Sequence, residues 1–171
     1  GSGEGLGLMA VLVVNAGSSS VKVAAFAPDL TQIAAARVTE IGGAARLEVG
    51  GDSRPVAAPD YTAAMGAVLG ALEGAGVPLS RVTVAGHRVV HGGPHLAAPC
   101  RLTPDTVAQV EAAVPLAPLH NPPALLAIRA LAALAPDLPQ TASFDTAFHQ
   151  TNPAVARRYA LPERAEALGI I

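Results

Sequence analysis

The residues best suited to binding or catalysis lie in one short turn between two predicted strands. Gly17 is followed by Ser18, Ser19 and Ser20, and then by Lys22. Turn amides, hydroxyls and an ammonium group that point the same way make a cradle for an anion such as phosphate. Lys22 is the only lysine, whereas the other ten basic residues are arginines, which favours a specific use for its compact charge. The same residues are equally consistent with an ordinary serine-rich hairpin turn that has no role in binding.

Two further charged residues are predicted to lie where strands end. Arg88 is near the end of the predicted strand 82–90 and shares a face with Val90, because side chains alternate along a strand. Asp145 follows the last predicted strand, where it could instead cap a helix. Ligands of open α/β sheets bind beyond the carboxyl ends of the strands. This rule favours Arg88, Asp145 and the strand-end Asn15 as site residues.

Three histidines recur at intervals of four residues, which on a helix would indicate a metal site. His87, His91 and His95 instead fall on a predicted strand and the Gly-Gly-Pro turn after it. A packed or hydrogen-bonded structural role is therefore expected for His87 and His95. The chain has neither a P-loop pattern nor a Gly-x-Ser-x-Gly elbow, which argues against Walker-type nucleotide binding and against an α/β-hydrolase.

The elements that would position these residues begin with hairpins and continue with alternating helices and strands. The predicted strands are 11–14, 21–26, 30–40, 45–49, 54–57, 82–90 and 140–144. The predicted helices are 60–73, one that begins at Thr103, and a third over 124–135 that Asn121-Pro122-Pro123 starts and whose Leu125, Ile128 and Leu131 face inward. Asp60 and Thr103 are the expected N-caps. This order predicts an α/β fold with a mixed sheet.

Composition limits the classes of protein to consider. Half of the residues are hydrophobic (51%) but only 3% are aromatic, which predicts a core of small aliphatic side chains. A net charge of −2 with no basic tract indicates neither a nucleic-acid nor a membrane-surface partner. The apolar segment 124–134 is interrupted by Arg129 and is shorter than the ~20 residues of a membrane span. The single cysteine, Cys100, excludes an internal disulfide and fits a reducing cytosol.

The two ends of the chain differ from the rest. Residues 1–8 are Gly-Ser-Gly-Glu-Gly-Leu-Gly-Leu, which predicts an added leader with the native start near Met9. A short helix is expected near 154–159. Residues 168–171 read as a strand cut in mid-course.

Four segments together resemble the signature blocks of the acetate kinase family. They are Asn15-Ala-Gly-Ser-Ser-Ser-Val-Lys22, Gly86-His-Arg-Val-Val-His-Gly-Gly93, Leu116-Ala-Pro-Leu-His-Asn-Pro122 and Phe144-Asp-Thr-Ala-Phe-His-Gln150. The resemblance implies a ribonuclease-H-like (actin-like ATPase) fold, a mixed sheet flanked by helices, as one lobe of a two-lobed kinase. Residues 9–150 would form that lobe, and 151–171 would start the connection to a second one.

The resemblance also implies a reaction and the residues that serve it. The reaction is Mg²⁺-assisted in-line transfer from ATP to acetate, which gives ADP and acetyl phosphate in the cytoplasm, and the whole protein would be a homodimer through its second lobe. The implied roles are nucleotide binding for Ser18, Ser20 and Lys22, acetate binding for Arg88, methyl-pocket walls for Val90 and Leu119, the magnesium site for Asn15, and catalysis for His120 and Asp145.

Elementary acid–base chemistry refines one of these roles. Acetate, by analogy with glutamate, ionises near pH ~4.3 and has no proton to lose at neutral pH. Asp145 is therefore expected to position magnesium or its water shell rather than to act as a base. A propionate or other short-chain acid kinase stays an alternative, as do a non-catalytic isolated lobe and a nucleotide-sensing module. The 171-residue chain alone is expected neither to turn over nor to bind ATP tightly.

Overall fold

The computed structural model describes residues 9–147, so the predictions for 1–8 and for 148–171 lie outside the described range. Eight strands and three helices form its main elements. The strands are β1 Ala10–Gly17, β2 Ser20–Phe26, β3 Gln32–Thr39, β4 Arg46–Val49, β5 Asp52–Pro55, β6 Val82–Val89, β7 Cys100–Arg101 and β8 Gln140–Phe144, and the helices are α1 Tyr61–Gly74, α2 Pro104–Ala112 and α3 Asn121–Leu134.

All eight strands belong to one sheet in the order β5-β4-β3-β2-β1-β6-β8-β7. The strands β1, β6 and β8 run parallel to one another, whereas the hairpin strands β2 to β5 and the short β7 are antiparallel to their neighbours. The prediction of an α/β fold with a mixed sheet is confirmed. Because the three parallel strands are adjacent, their carboxyl ends meet at one edge of the sheet.

The helices begin where the sequence predicts and bury the faces that it predicts. Asp60 caps α1 by accepting a hydrogen bond from the Ala63 amide at 2.8 Å. Thr103 caps α2 in a capping box with Thr106. In α3, the side chains Leu125, Ile128 and Leu131 are buried, as expected from their helical spacing.

The core has two parts on one side of the sheet. The larger part joins the inward side chains of the strands β1 to β4 to α1 and α3 and includes Leu12, Val23 and Met65. The smaller part lies beneath β6 and β8, where Val89 and Phe144 pack against α2 and α3. None of the helices described in 9–147 is both long and apolar enough for a membrane crossing.

The strand β7 is the element that the sequence did not predict. Cys100 and Arg101 pair with Ala142 and Thr141 at the edge of the sheet. A strand of two residues is too short to show a period of two, so its pairing depends on the position of β8 rather than on a local pattern.

Candidate active site

The parallel strands present polar side chains on the face opposite the core. Val14 pairs with His87 in β6, and both side chains are buried on the core side. The next residue in each strand, Asn15 or Arg88, therefore points to the opposite face, and both are exposed. Arg88 pairs in turn with Ser143 of β8. The sheet thus carries a polar row across the ends of three neighbouring strands.

The lone lysine joins this row from the hairpin side. Lys22 lies directly opposite Asn15 in the antiparallel pair β1–β2, so the two side chains leave the same face of the sheet. Both are exposed, as is Ser18 in the turn, whereas Ser20 is half-buried. The structure therefore brings the predicted phosphate residues to the face and end of the sheet that carry Arg88.

The turn between β1 and β2 is held by two bonds from outside the hairpin. The Tyr61 hydroxyl, at the start of α1, donates a hydrogen bond to the Gly17 carbonyl, and the Ile41 amide donates to the Ser19 carbonyl at 2.9 Å. Partial burial raises the pKa of Tyr61, and the Ser20 backbone amide opposes that rise. A β-carbon at Gly17 would lie 2.9 Å from the Ser20 hydroxyl, so a larger residue there would force the Ser20 side chain to move. Sequence reasoning missed Tyr61, because its role depends on how α1 packs.

Arg88 and Asp145 form a two-point ion pair at the carboxyl edge. Arg88 Nε donates to Asp145 Oδ1 at 3.0 Å, and Nη2 donates to Oδ2 at 2.6 Å. The Arg88 side chain is 55% exposed and the Asp145 side chain is 40% exposed, so solvent reaches the ion pair. The hydrogen bond to Asp145, followed by its charge, raises the pKa of Arg88. The structure thus joins two residues that the sequence placed separately at strand ends.

The two predicted walls of a methyl pocket occupy neighbouring loops. Val90 follows β6 directly and is half-buried, whereas Leu119 precedes α3 and is 75% exposed. His120, the residue before α3, is also exposed. Within residues 9–147, these side chains line an open surface rather than a closed cavity.

Hydrogen bonds tie these loops to each other. The buried Asn121 side chain bonds both the amide and the carbonyl of His91. The Thr146 amide donates to the Val90 carbonyl, and its hydroxyl accepts from the Gly92 amide, each at 3.3 Å. Sequence analysis treated Asn121 only as a helix start, although a buried asparagine always needs hydrogen-bond partners.

The other two histidines of the described range, His87 and His95, divide between core and surface. His87 is buried and its Nε2 lies 2.6 Å from the Gln140 Oε1 atom, which confirms its structural role. Burial lowers the pKa of His87 from 6.5 to about 4, and the bond to Gln140 opposes this shift. His95 is exposed, so the packed role expected for it is wrong: its side chain faces solvent, and the next residue, Leu96, is the one that packs into the core.

No cluster of three or more His, Cys, Asp or Glu side chains suited to a metal occurs in the described part of the chain. The oxygen donors on the polar face include the Asn15 amide and the Asp145 carboxylate. Both are hard ligands that suit Mg²⁺, an ion that keeps several waters and takes only one or two protein ligands beside substrate phosphates. Each of these two side chains is therefore chemically suited to supply one ligand, direct or through water, to a magnesium ion bound with a nucleotide.

The mixed sheet with its helices, the serine-rich hairpin turn and the charged residues at the carboxyl edge match the expected fold class, one lobe of an actin-like kinase. The chain belongs to the Acetokinase family, whose model matches residues 10–171. It is 47% identical over 161 residues to a Deinococcus radiodurans protein named acetate kinase, with 91% of this chain and 40% of the relative covered. An acetate kinase of Streptomyces avermitilis is 44% identical, with 88% and 40% covered.

Solved structures show the same relationship. The Porphyromonas gingivalis acetate kinase matches with a TM-score of 0.85 at 34% identity and covers 94% of this chain and 43% of its own. A propionate kinase from Francisella tularensis matches with a TM-score of 0.84 at 31% identity, covering 92% and 42%. These neighbours confirm the expected fold class and family. The chain spans about 40% of the length of the curated relatives that it matches.

Proposed function

We propose that this chain is the acetate-binding lobe of an acetate kinase, and that the whole protein converts ATP and acetate to ADP and acetyl phosphate. The observation that carries the proposal is the two-point contact of Arg88 with Asp145. It supports the proposal because a guanidinium fork at the carboxyl edge of the sheet has the geometry that best suits a carboxylate. Membership of the Acetokinase family supports the same reaction.

The approach of two anions is the main barrier to this reaction, and the polar face can lower it. Two of the five N–H donors of Arg88 bond Asp145, and three remain for acetate. Lys22, Ser18 and Ser20 would bind the phosphates on the same face. Charge neutralisation by such preorganised groups is typically the largest catalytic contribution.

The resident metal of the reaction would be Mg²⁺, held by Asn15 and Asp145 together with the nucleotide. When bound, it would withdraw charge from the transferring phosphoryl group. Asp145 has no proton to remove from acetate at neutral pH, so its carboxylate would align the metal and orient Arg88. His120 would lie beside the transferring group from the loop before α3.

A chimaeric enzyme tests the proposal. Residues 10–171 are fused to the part of the Deinococcus radiodurans acetate kinase that this chain does not cover. We call this fusion protein the completed kinase. With acetate, ATP and Mg²⁺ we expect it to form an acyl phosphate that hydroxylamine traps as hydroxamate. A folded completed kinase that gives no acetyl hydroxamate would contradict the proposal. The 171-residue chain alone is expected to be inactive and to bind ATP only weakly, as an isolated lobe.

Propionate is a second candidate substrate. The propionate kinase neighbour matches the chain as well as the acetate kinase neighbour does, with TM-scores of 0.84 and 0.85. Val90 and Leu119 are apolar and distinguish acids only by size, which is worth ~1–3 kcal/mol per methylene. The same hydroxamate assay with propionate ranks the two substrates by kcat/KM. Val90→Ala is expected to raise the propionate-to-acetate ratio, and no gain would remove Val90 from the pocket wall.

Two broader properties complete the proposal. The single cysteine, Cys100, supports action in the reducing cytosol. The whole protein is proposed to form a homodimer through the part of its relatives' length that lies outside this chain, which sedimentation of the completed kinase would test.

A further inference from the structure

Asn121 makes an unusual set of contacts for a residue at a helix start. Its side chain is completely buried. The Oδ1 atom accepts from the His91 amide at 3.1 Å, and Nδ2 donates to the His91 carbonyl at 2.9 Å. A third, longer bond of 3.4 Å reaches the Val110 carbonyl in α2. The side-chain amide thus binds His91 as a neighbouring β-strand would.

The position of this contact links the two predicted pocket walls. Asn121 comes two residues after Leu119, and His91 comes one residue after Val90. Asn121 therefore fixes the backbone of one wall loop against that of the other. Because both bonds are made to a single residue, the loops can neither slide nor separate without leaving buried polar groups unpaired.

A second pair of hydrogen bonds connects Thr146, the residue after Asp145, to the loop after β6. The Thr146 amide donates to the Val90 carbonyl, and the Gly92 amide donates to the Thr146 hydroxyl, each at 3.3 Å. The loop after β6 is therefore held between Asn121 on one side and Thr146 on the other. This loop begins with Val90, the predicted wall two residues after Arg88.

We propose that Asn121 is a positioning residue that sets the gap between Val90 and Leu119 and so determines which short carboxylic acid the protein accepts. This inference rests on the proposed function. The Asn121 side chain is fully buried, and its polar atoms bond backbone groups of His91 and Val110. It therefore acts by holding the two wall loops in place and does not touch the acid. A pocket that rejects one methylene discriminates about 10- to 200-fold, and this discrimination requires walls that do not move.

The test compares Asn121→Ala with wild type in the completed kinase. We expect the KM for acetate to rise about tenfold, the KM for ATP to stay within about twofold, and the acetate preference in kcat/KM over propionate to fall at least about fivefold, since a loosened wall admits the longer acid. The matched control is Gln140→Ala. Gln140 is also a buried amide, and it bonds His87 and the Ile128 carbonyl at the beginning of β8, away from the loops. The Gln140→Ala control should be less stable than wild type but should keep the preference for acetate over propionate.

A milder variant keeps the inference testable if Asn121→Ala does not fold. Thr146→Val removes the hydroxyl that accepts from the Gly92 amide but preserves the side-chain shape. We expect it to lower the acetate preference about twofold to threefold. An unchanged preference in every folded variant, or an equal change in Gln140→Ala, would overturn the positioning role.

A measurement without turnover separates this inference from the proposed function. In the 171-residue chain, hydrogen exchange of the His91 amide should be at least about tenfold faster in Asn121→Ala than in wild type, while amides of β2 are unchanged. Unchanged exchange at His91 would overturn the inference. An inactive wild-type completed kinase with the expected exchange result would instead refute the proposed function.

Discussion

The two halves of the polar face are built differently. On the half proposed to bind the acid, called here the carboxylate half, Arg88 is paired with Asp145, and the loops around Val90 are fixed by Asn121 and Thr146. The half around Lys22, Asn15 and the Ser18–Ser20 turn is proposed to bind phosphate and is called the phosphate half. On the phosphate half, Lys22 and Asn15 are exposed. The salt bridges within residues 9–147 involve three arginines and do not include Lys22.

This difference shows which part of the binding energy the lobe can supply before a ligand arrives. A guanidinium already held in a fork loses little further freedom when a small carboxylate binds. A solvated lysine on a strand must still lose both its hydration and its rotamer freedom when phosphate binds. We therefore expect this lobe to recognise the acid through a preformed edge and the nucleotide only with the help of additional groups.

The largest expected effect is a loss of stability in acid, and it comes from His87 on the core face of β6, behind the carboxylate half. The pKa of His87 is about 4 in the folded state and near 6.5 unfolded, so the unfolded state binds more protons between these values. The free energy of unfolding therefore keeps its full value above pH 6.5 and decreases as the pH falls towards 4. The full shift corresponds to about 3 kcal/mol. Chemical denaturation at pH 7 and pH 4 measures it.

Matched variants isolate this effect from the titration of carboxylates. His87→Gln should reduce the loss of stability between pH 7 and pH 4, whereas the exposed His95→Gln should leave it unchanged. Hydrogen exchange at low pH should accelerate in β6 and β8 before it accelerates in β1 and β2. Equal pH dependence in both variants would show that His87 does not sense acid.

Asp145→Asn should separate turnover from acid binding. We expect kcat of the completed kinase to fall about 100-fold, the scale typical of losing one preorganised electrostatic group. The KM for acetate should change by about twofold or less, because the substitution removes a charge that competes for Arg88 and also weakens the contact that orients it. Steady-state kinetics over a range of Mg²⁺ concentrations measures both. Full turnover with an unchanged magnesium requirement would contradict the role proposed for Asp145.

Arg88→Lys should damage the carboxylate half selectively. A lysine ammonium cannot reproduce a two-point fork, so we expect the KM for acetate to rise about tenfold or more while the KM for ATP changes about twofold or less. Arg101→Lys, at an exposed position on the edge strand, is the matched control and should change neither constant. Equal changes in both KM values for Arg88→Lys would place Arg88 outside the acid site.

The smallest effect is expected on the phosphate half. Tyr61→Phe removes one hydrogen bond to the Gly17 carbonyl, which is worth about 1 kcal/mol. The KM for ATP should therefore rise about fivefold, with the KM for acetate nearly unchanged. A rise confined to acetate would show that Tyr61 does not support the phosphate turn.

Local patterns predicted the fold more completely than they predicted the site. The strand Gln140–Phe144, the Asp60 cap and the buried face of α3 follow from residue alternation, capping chemistry and helical spacing within short windows. The Arg88–Asp145 pair depends on β6 and β8 being neighbours although 57 positions separate the two residues, and the Asn121–His91 contact spans 30 positions. Sequence motifs identified the charged residues, but only the assembled sheet shows which of them touch.

The most direct test of the central claim is an NMR titration of the 171-residue chain with acetate. Arg88 Nε–H and the Val90 methyl groups report on the carboxylate half, and Lys22 with the Ser18–Ser20 turn reports on the phosphate half. We predict saturable shifts at Arg88 and Val90 at acetate concentrations that leave the Lys22 turn unchanged, and loss of those shifts in Arg88→Lys. Shifts centred on the Lys22 turn, or none at Arg88 in the folded chain, would contradict the assignment of this edge as the acid site.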